Sequence, residues 1–350
     1  MKNEYILTED TNYKNIADAI RSSTGHRGEL YPSQMADRLY GFVPRGGSEY
    51  IDGSVVNLNS STIRSVAPYK FNWTSTYGYM SPLKSVILPE CTYVGARAFA
   101  NNEDLVDVSL PKIDEIPEGL FLGSGPKFGG NSAPGVRLVD WFPTKLGARA
   151  FQSGCVVYDN LHEVFKNVTQ VGDYCFSGTR FNDNTGTQCT NLVIPGSFSC
   201  GSRSFGLGTN SAVKTLEFTG HISGPCAQFL YDVRHMKTLK INEIDILGEH
   251  ALDGCWEVET VEINHIVEFG KGPFYGCESL TKVIIRNADV VPPLKENPAN
   301  STGGYWYDTH FSNGDIGFFY VDDSLLDAYK AAPYWSNISE QIKPISELTE

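Results

Sequence analysis

The chain has 350 residues, and its 41 acidic side chains outnumber the 28 basic ones, which gives a formal net charge of −13. Nucleic acids and anionic membrane surfaces bind through positive charge, so neither is expected as a partner. Hydrophobic residues make up 41% and charged residues 20% of the chain, which excludes wholesale disorder. The sequence contains no apolar run of membrane-spanning length and no signal-peptide core at its start, so we expect neither membrane insertion nor secretion.

The apolar spacing in residues 1–42 predicts a pair of short helices, which we expect to form a docking module. Ile16 and Ile20 are four residues apart, and Met35 and Leu39 repeat that spacing, so each helix has one narrow apolar stripe. So few apolar residues cannot form a core of their own. The pair is therefore expected to dock on the rest of the chain or on another protein.

After a Gly- and Pro-containing linker at residues 43–54, residues 55–321 consist of repeats. One six-residue sequence motif, which we call the strand phrase, has the form Val-Lys-Thr-Leu-Glu-Phe. It recurs at intervals of 23, 22 and 22 residues. Its four copies begin at Val213, Met236, Val258 and Leu280. This period is typical of a solenoid, in which each unit buries its apolar residues against its neighbours. We predict a mainly β solenoid of about nine or ten units of 22–23 residues.

The phrase also predicts which side chains are exposed. Its first, fourth and sixth positions are apolar and should point into the core, whereas the third and fifth should point outward. A turn such as Gly-Ala-Arg-Ala-Phe follows, and its Phe should fill the interior between coils. One outward row is Ser85, Asp107, Asp140, Glu163, Asn191, Thr215, Thr238, Thr260 and Lys282. The other is Ile87, Ser109, Phe142, Phe165, Val193, Glu217, Lys240, Glu262 and Ile284.

Three insertions fall in one slot of the repeat, between the Phe and the next strand: Leu122–Arg137, Ser177–Gln188 and Gly206–Ala212. Sharing a slot places them on one edge of the solenoid, which in repeat proteins is often the binding edge. A later Gly- and Asn-rich loop carries Tyr305, Trp306 and Tyr307. These rings suit glycan stacking or protein contact, or alternatively fold back over the end of the core.

Residues 322–350 predict a helical cap. An Asp at the helix start, Leu325, Leu326 and Tyr329 on one face, and a Pro beyond the end indicate a short helix. The last coil of a solenoid needs such a cover, because its core and strand edge are otherwise exposed.

The eight cysteines contain no Cys-x-x-Cys pair, and we predict that all are reduced thiols. Cys155, Cys255 and Cys277 each follow a Gly of the repeat and are expected to be buried structural residues. His162 and Glu163 begin like a zinc-protease motif, but the second His is missing, so we predict an ordinary pair of strand residues. No other motif supports catalysis. We therefore nominate no catalytic residue, no cofactor and no metal ligand, and predict a protein that is not an enzyme.

The predicted recognition surface combines two exposed phenylalanines with nearby carboxylates. Phe142 and Phe165, on neighbouring units, would form an apolar patch beside Asp107, Asp140 and Glu163, and such a patch commonly marks a partner site. The alternative is that the insertion after Phe121 covers both rings. The aromatic residues at 305–307 complete the candidate set.

The repeat unit resembles the bacterial surface-antigen (BspA-like) class of leucine-rich repeats. The form Leu-x-x-Val-x-Ile-Pro followed by Val-x-x-Ile-Gly-x-x-Ala-Phe-x-Gly-Cys is matched closely across residues 83–99 and 258–285. The ending from Val321 to Ser336 is also similar to the usual terminus of that class. The resemblance covers about residues 55–345 and implies a leucine-rich repeat stack.

The amino-terminal module resembles a different family. Ile16-Ala-Asp-Ala-Ile-Arg, then Thr24-Gly25, then Tyr31-Pro-Ser-Gln-Met35-Ala, is similar to a module on tail and baseplate proteins of phages that infect gut Firmicutes. This resemblance implies a virion component that is made in the host cytoplasm and docked to other tail proteins through residues 1–42.

Together these observations predict a phage tail or tail-tip protein that binds the host cell without covalent chemistry, as a receptor-binding protein. Its partners would be other tail proteins and a host surface protein or glycan, and it would act as a homo-oligomer, for example a trimer, on the virion. Three alternatives stay open at this point: a purely structural or decorating tail protein, a bacterial cell-surface adhesin, and a glycan-degrading enzyme. The enzyme is disfavoured because no pair of acidic residues can be nominated.

Overall fold

The repeats form a stack of parallel strands in the computed structural model, which describes residues 57–72, 83–125, 134–287, 289–295 and 317–348. The predicted helical pair at 1–42, the linker at 43–54 and the loop with Tyr305, Trp306 and Tyr307 lie outside these described residues. Strands β1 to β9 are Asn57–Asn59, Ser65–Val66, Ser85–Ile87, Tyr93–Val94, Asp107–Ser109, Glu115–Ile116, Arg137–Leu138, Lys145–Leu146 and Cys155–Val157. Strands β10 to β19 are Gln170–Val171, Arg180–Asn182, Asn191–Ile194, Phe198–Cys200, Thr215–Ser223, Thr238–Leu247, Thr260–Phe269, Lys282–Ile285, Phe318–Val321 and Ile342–Pro344.

Two α-helices and three 3₁₀ segments accompany the strands in the described part of the chain. The helices are α1 (Tyr158–Phe165) and α2 (Leu326–Ala331). The 3₁₀ segments are Asp323–Leu325, Trp335–Gln341 and Ile345–Glu347, so the described end of the chain is a short helical region, as predicted. Its Tyr329 and Trp335 are buried, and the Trp335 indole packs edge-on against Phe319 of β18.

All the strand pairs in the described part of the chain run parallel, as expected of a chain that winds in one direction. Strands β1, β3, β5 and β7 form one four-stranded sheet. A larger sheet of eleven strands runs from β6 through β8, β10 and β13 to β19, with β12 joined to β14. With its consecutive parallel strands the chain is a mainly β solenoid of about ten coils, and the predicted fold class is confirmed.

A column of phenylalanines fills the interior at one position of each turn. Neighbouring rings lie with their centroids 5.2–6.3 Å apart, and five of them are fully or almost fully buried. The column consists of Phe71, Phe99, Phe121, Phe151, Phe176 and Phe205. The prediction that the Phe of each turn fills the interior between coils is confirmed.

In four coils, the residue three positions after that Phe or its Leu equivalent donates a side-chain hydrogen bond to the coil before it. The Ser124 hydroxyl donates to the carbonyl of Phe99 at 2.7 Å, and the Thr179 hydroxyl donates to that of Phe151 at 2.7 Å. In later coils the thiols of Cys255 and Cys277 donate to the preceding coil at 3.1 and 3.4 Å. These cysteines are buried because they satisfy backbone carbonyls that water cannot reach.

One unit departs from the predicted strand pattern. Leu161 to Phe165 was predicted as a strand and is instead part of helix α1. Its buried side chains, Leu161, Val164 and Phe165, follow i, i+3, i+4 spacing, and this helical period takes precedence over the alternation of a strand. Helix α1 therefore interrupts the ladder between β7 and β12.

The side chains of α1 take over the hydrogen bonding that a strand would have supplied. The Asn160 amide donates to the carbonyl of Leu138 at 2.8 Å, and its oxygen accepts the Leu138 N–H at 2.7 Å. On the other side, the Tyr158 hydroxyl accepts the Val193 N–H at 2.6 Å and donates to the Val193 carbonyl at 2.9 Å. The helix thus joins the two sheets, whose facing edges would otherwise be left unpaired.

Candidate recognition surface

The structure does not assemble the predicted apolar patch. Phe142 is exposed, with 52% of its surface accessible, as predicted. Phe165 is fully buried, so its predicted exposure is wrong: it lies on the inner face of α1, where its ring packs against Phe176 and Phe205. The two phenylalanines therefore do not form one exposed surface.

The three predicted carboxylates are also separated by their local structure. Asp107, on β5, pairs with Arg137 at 2.7 Å. Asp140 is exposed in a turn with a left-handed backbone (φ 49°), because the strand predicted from Leu138 ends at that residue. Glu163 is exposed on α1 and pairs with Lys166 at 2.7 Å, so it is a helix residue and not the predicted strand residue. Their role in recognition stays a prediction.

The most regular exposed surface lies on β14, β15 and β16, which have 9, 10 and 10 residues. Their register places Glu217, Lys240 and Glu262 side by side, so carboxylate, ammonium and carboxylate alternate across the sheet. Adjacent parallel strands are about 4.8 Å apart, which fixes the spacing of these groups. We call this row, together with Thr219, Asn242 and Asn264, the strand face.

The strand face forms a shallow open groove of about 220 Å³. The Asn264 amide donates to the Asn242 side-chain oxygen at 3.1 Å, and Arg286 of the next coil pairs with Glu262 at 2.6 Å. These contacts hold the amide and carboxylate groups in place across coils. The outward direction predicted for the third and fifth positions is confirmed on these three strands. It is wrong at Ser109 and Ile284, which are buried.

A second, larger groove of about 420 Å³ lies along the edge that carries the insertions. We call it the edge groove. The insertions at 177–188 and 206–212 both line it, which agrees with their predicted placement on one edge. Its polar groups come from Ser153, Arg180, Thr209, Asn210 and Asp232.

Next to the edge groove, side chains one coil apart stack on each other. The Arg234 guanidinium lies 4.0 Å from the ring centroid of Trp256, 22 residues later in the chain. In the same way the Arg203 guanidinium lies 3.8 Å from the ring centroid of Tyr231. No sequence motif indicated Arg234 or Trp256. The signal that could have found them is their separation, which equals one repeat.

Charged groups on this side of the solenoid hold each other in place. The pKa of the Glu257 carboxyl is lowered, mainly by a hydrogen bond with His235 at 2.7 Å. The positive charge of Lys214 lowers this pKa further. Burial raises the pKa of Asp253, although His250 lies 3.7 Å away. Within the described residues, no group of three or more His, Cys, Asp or Glu side chains is placed to hold a metal ion. None of the helices in the described part of the chain is both long and apolar enough to cross a bilayer.

The prediction that every cysteine is a free thiol is wrong for one pair. Cys200 and Cys226, on consecutive coils with Cα atoms 5.8 Å apart, form a disulfide. The other six are free, and five of these are buried.

We expect the most accessible of the free thiols, Cys189, to react slowly with alkylating reagents. Burial raises the pKa of its thiol to about 11, and Asp183 and Asp159 add to this rise. At pH 8 roughly one molecule in a thousand would carry the reactive thiolate, against roughly a quarter for an ordinary thiol. Mass spectrometry after iodoacetamide treatment from pH 7 to 10 should show labelling that rises throughout that range. Rapid labelling that levels off near pH 9 would contradict the buried environment, and the same protein in urea provides the control.

The stack of parallel strands, with its Phe column and its tie between coils, defines the class of the protein as a leucine-rich repeat solenoid. The model of the BspA type leucine rich repeat region matches six copies, within residues 55–126 and 181–291. This match covers more than half of the chain, so the chain belongs to the BspA-type leucine-rich repeat family. A comparison with curated proteins gave no match.

Solved structures of similar proteins include three from bacteria. A leucine-rich repeat protein from Bacteroides ovatus is 18% identical, with a TM-score of 0.30, over 77% of this chain and 82% of that one. A leucine rich cell surface protein from Faecalibacterium prausnitzii is 15% identical, with a TM-score of 0.27, over 61% of this chain and 68% of that one. The pneumococcal vaccine antigen PcpA is 12% identical, with a TM-score of 0.29, over 83% of this chain and 87% of that one.

Proposed function

We propose that this chain is a non-catalytic recognition protein whose solenoid binds a ligand on the surface of another cell. The observation that carries the proposal is the strand face, where three long strands in register present Glu217, Lys240 and Glu262 with the amides of Asn242 and Asn264 beside them. Donors and acceptors at fixed spacing on a rigid sheet require little ordering when a ligand binds, which favours affinity. The groove is open and shallow, so it suits an extended surface ligand better than a small enclosed substrate.

The biological setting of the proposal rests on the resemblance of residues 1–42 to phage tail modules. In this setting the amino-terminal module docks on other tail proteins, with the candidate contacts Ile16, Ile20, Met35 and Leu39. The solenoid then faces a protein or glycan of the host cell, and the protein works in the virion as a receptor-binding protein. Several copies on one particle, for example a trimer, would multiply a weak affinity, because each further contact forms at high effective concentration.

The test is binding of the fluorescently labelled full chain to candidate host cells. We expect saturable binding that falls at least tenfold in a Glu217→Ala, Lys240→Ala double variant, since both side chains line the strand face. Both are on the outer face of their strands, so the variant should fold normally, which circular dichroism would check. Lys271→Ala is the matched control, because Lys271 is exposed on a turn away from the strand face.

Further results of the same experiments distinguish recognition from a structural role and from an enzyme. Phe142→Ser tests whether the exposed ring of the predicted patch contributes to binding. A folded chain that binds no cell at all would overturn the recognition proposal and favour a structural role in the tail. Hydrolysis of host polysaccharide by the purified chain would instead support the enzyme alternative.

A further inference from the structure

The indole of Trp256 is linked to the edge groove through Arg234 and Asp232, and this region differs chemically from the strand face. We propose that the indole and the edge groove together form a subsite for a neutral saccharide chain. This inference rests on the proposed recognition function, since it names the class of ligand that the solenoid would take. It assigns that ligand to a different surface from the strand face.

Trp256 provides the apolar part of the subsite. Its side chain is 43% exposed although the Arg234 guanidinium lies 4.0 Å from the ring centroid. The guanidinium lies over the indole ring and holds the ring in place through a cation–π contact. An exposed, fixed indole is a flat amphipathic platform, and the C–H face of a pyranose ring can pack against such a platform.

Asp232 provides the polar part and connects the platform to the groove. Its Oδ1 accepts a hydrogen bond from Arg234 Nε at 2.6 Å, and Asp232 itself lines the edge groove. Platform, guanidinium and carboxylate are therefore one connected unit. Gly254 lies beside this carboxylate, and a Cβ at that position would come within 3.1 Å of Oδ1, so the glycine keeps the approach to the carboxylate open.

The rest of the groove offers the groups that sugar hydroxyls need. Ser153 and Thr209 contribute hydroxyls that both donate and accept, and Asn210 contributes an amide. The turns that carry Ser153 and Asp232 have left-handed backbones, with φ of 56° and 62°. These groups lie on a concave surface that opens toward solvent, where a chain of linked sugars can enter from the side.

The charge of the subsite favours a neutral ligand. The guanidinium of Arg234 is balanced by the carboxylate of Asp232, so an anionic or cationic ligand gains little from this pair. Arg180, the other charged side chain in the groove lining, also has an interaction partner within the chain. The groove is also open to solvent, unlike the enclosed pockets that small hydrophobic ligands require. A neutral saccharide chain suits this balanced charge and this open groove. Its C–H face can pack on the indole, and its hydroxyls can bond to the carboxylate and the amide.

The direct test is isothermal titration calorimetry of the full chain with three neutral hexasaccharides: maltohexaose, cellohexaose and the fully N-acetylated chitohexaose. We expect at least one to bind, with affinity reduced roughly tenfold or more in Trp256→Ala and in Asp232→Asn. Tyr93→Ala is the control, because Tyr93 is another exposed aromatic residue in the amino-terminal part of the solenoid. Failure of all three sugars to bind, or an equal loss in the control, would overturn the subsite.

Cell binding distinguishes this proposal from the proposed function. Periodate, which cleaves vicinal diols of glycans, should abolish the part of cell binding that depends on Trp256. Cell binding that survives both periodate and Trp256→Ala would leave recognition intact, point to a protein ligand and overturn the saccharide subsite. Hexasaccharide binding without any cell binding would support the subsite and contradict the proposed function.

Discussion

Replacing Phe176 with alanine should lower the free energy of unfolding by about 3–5 kcal/mol, the largest single-residue effect that we expect in this chain. The ring is fully buried in the Phe column, with its centroid 5.4 Å from that of Phe151 and 5.2 Å from that of Phe205. It also packs against Phe165 of helix α1 and Phe181 of β11. Truncation removes these contacts and leaves a cavity that the stacked coils on either side cannot close.

Urea unfolding followed by circular dichroism would measure the loss. Phe142→Ala is the matched control, because half of that ring is exposed and its truncation should change the free energy of unfolding by about 0.5 kcal/mol or less. Native-state hydrogen exchange should show the loss of protection concentrated in the coils around residues 151–205, since each coil is stabilised mainly by its neighbours. A loss as small as that of the control would show that the interior column does not carry the stability of these coils.

The sequence predicted those parts of the fold that repeat. The phrase beginning at Val213 and the turn ending in Phe151 recur in almost every unit, so one unit determines the others. The period of 22–23 residues places Glu217, Lys240 and Glu262 side by side. The Phe column follows instead from the recurring turn, because insertions make the spacing of its members unequal.

The parts that could not be predicted are those where a local pattern differs from the repeat. Leu161 and Val164 occupy apolar positions of the strand phrase and Phe165 an outward one, but together the three form the stripe of a helix, and the helical form buries all three. Side-chain hydrogen bonds from Tyr158 and Asn160 compensate the interrupted ladder, and no spacing rule indicates such bonds. The patch predicted at Phe142 and Phe165 depended on a strand at this place, which explains why it does not form.

The binding surfaces were only partly predictable for a related reason. The insertion edge followed from the shared slot of residues 177–188 and 206–212, and both line the edge groove. Trp256 was not identified, because a single tryptophan after a cysteine carries no pattern by itself. Only its stacking on Arg234, one coil earlier, gives it a fixed orientation next to Asp232.

Gly270 marks a second position where the repeat geometry tolerates almost no change. A Cβ there would lie 2.6 Å from the carbonyl carbon of Gly248 and 2.7 Å from the nitrogen of Glu249, both backbone atoms of the preceding coil. The same close approach to the preceding coil recurs along the solenoid at Gly95, Gly147, Gly172, Gly201 and Gly248. Real Cβ atoms do not approach backbone this closely, so one coil must move away from the other.

We expect Gly270→Ala to destabilise the chain by about 2–3 kcal/mol, as overpacking of a tightly packed interior does. The methyl group cannot be accommodated by turning a side chain, because its neighbours are backbone atoms held by the ladder between β15 and β16. The adjacent Lys271→Ala provides the control, since that side chain is exposed and should leave the melting temperature nearly unchanged. Equal melting temperatures for the two variants would mean that the coils can move apart at this point without loss of stability. The close spacing of coils would then not be what requires glycine at this position of the repeat.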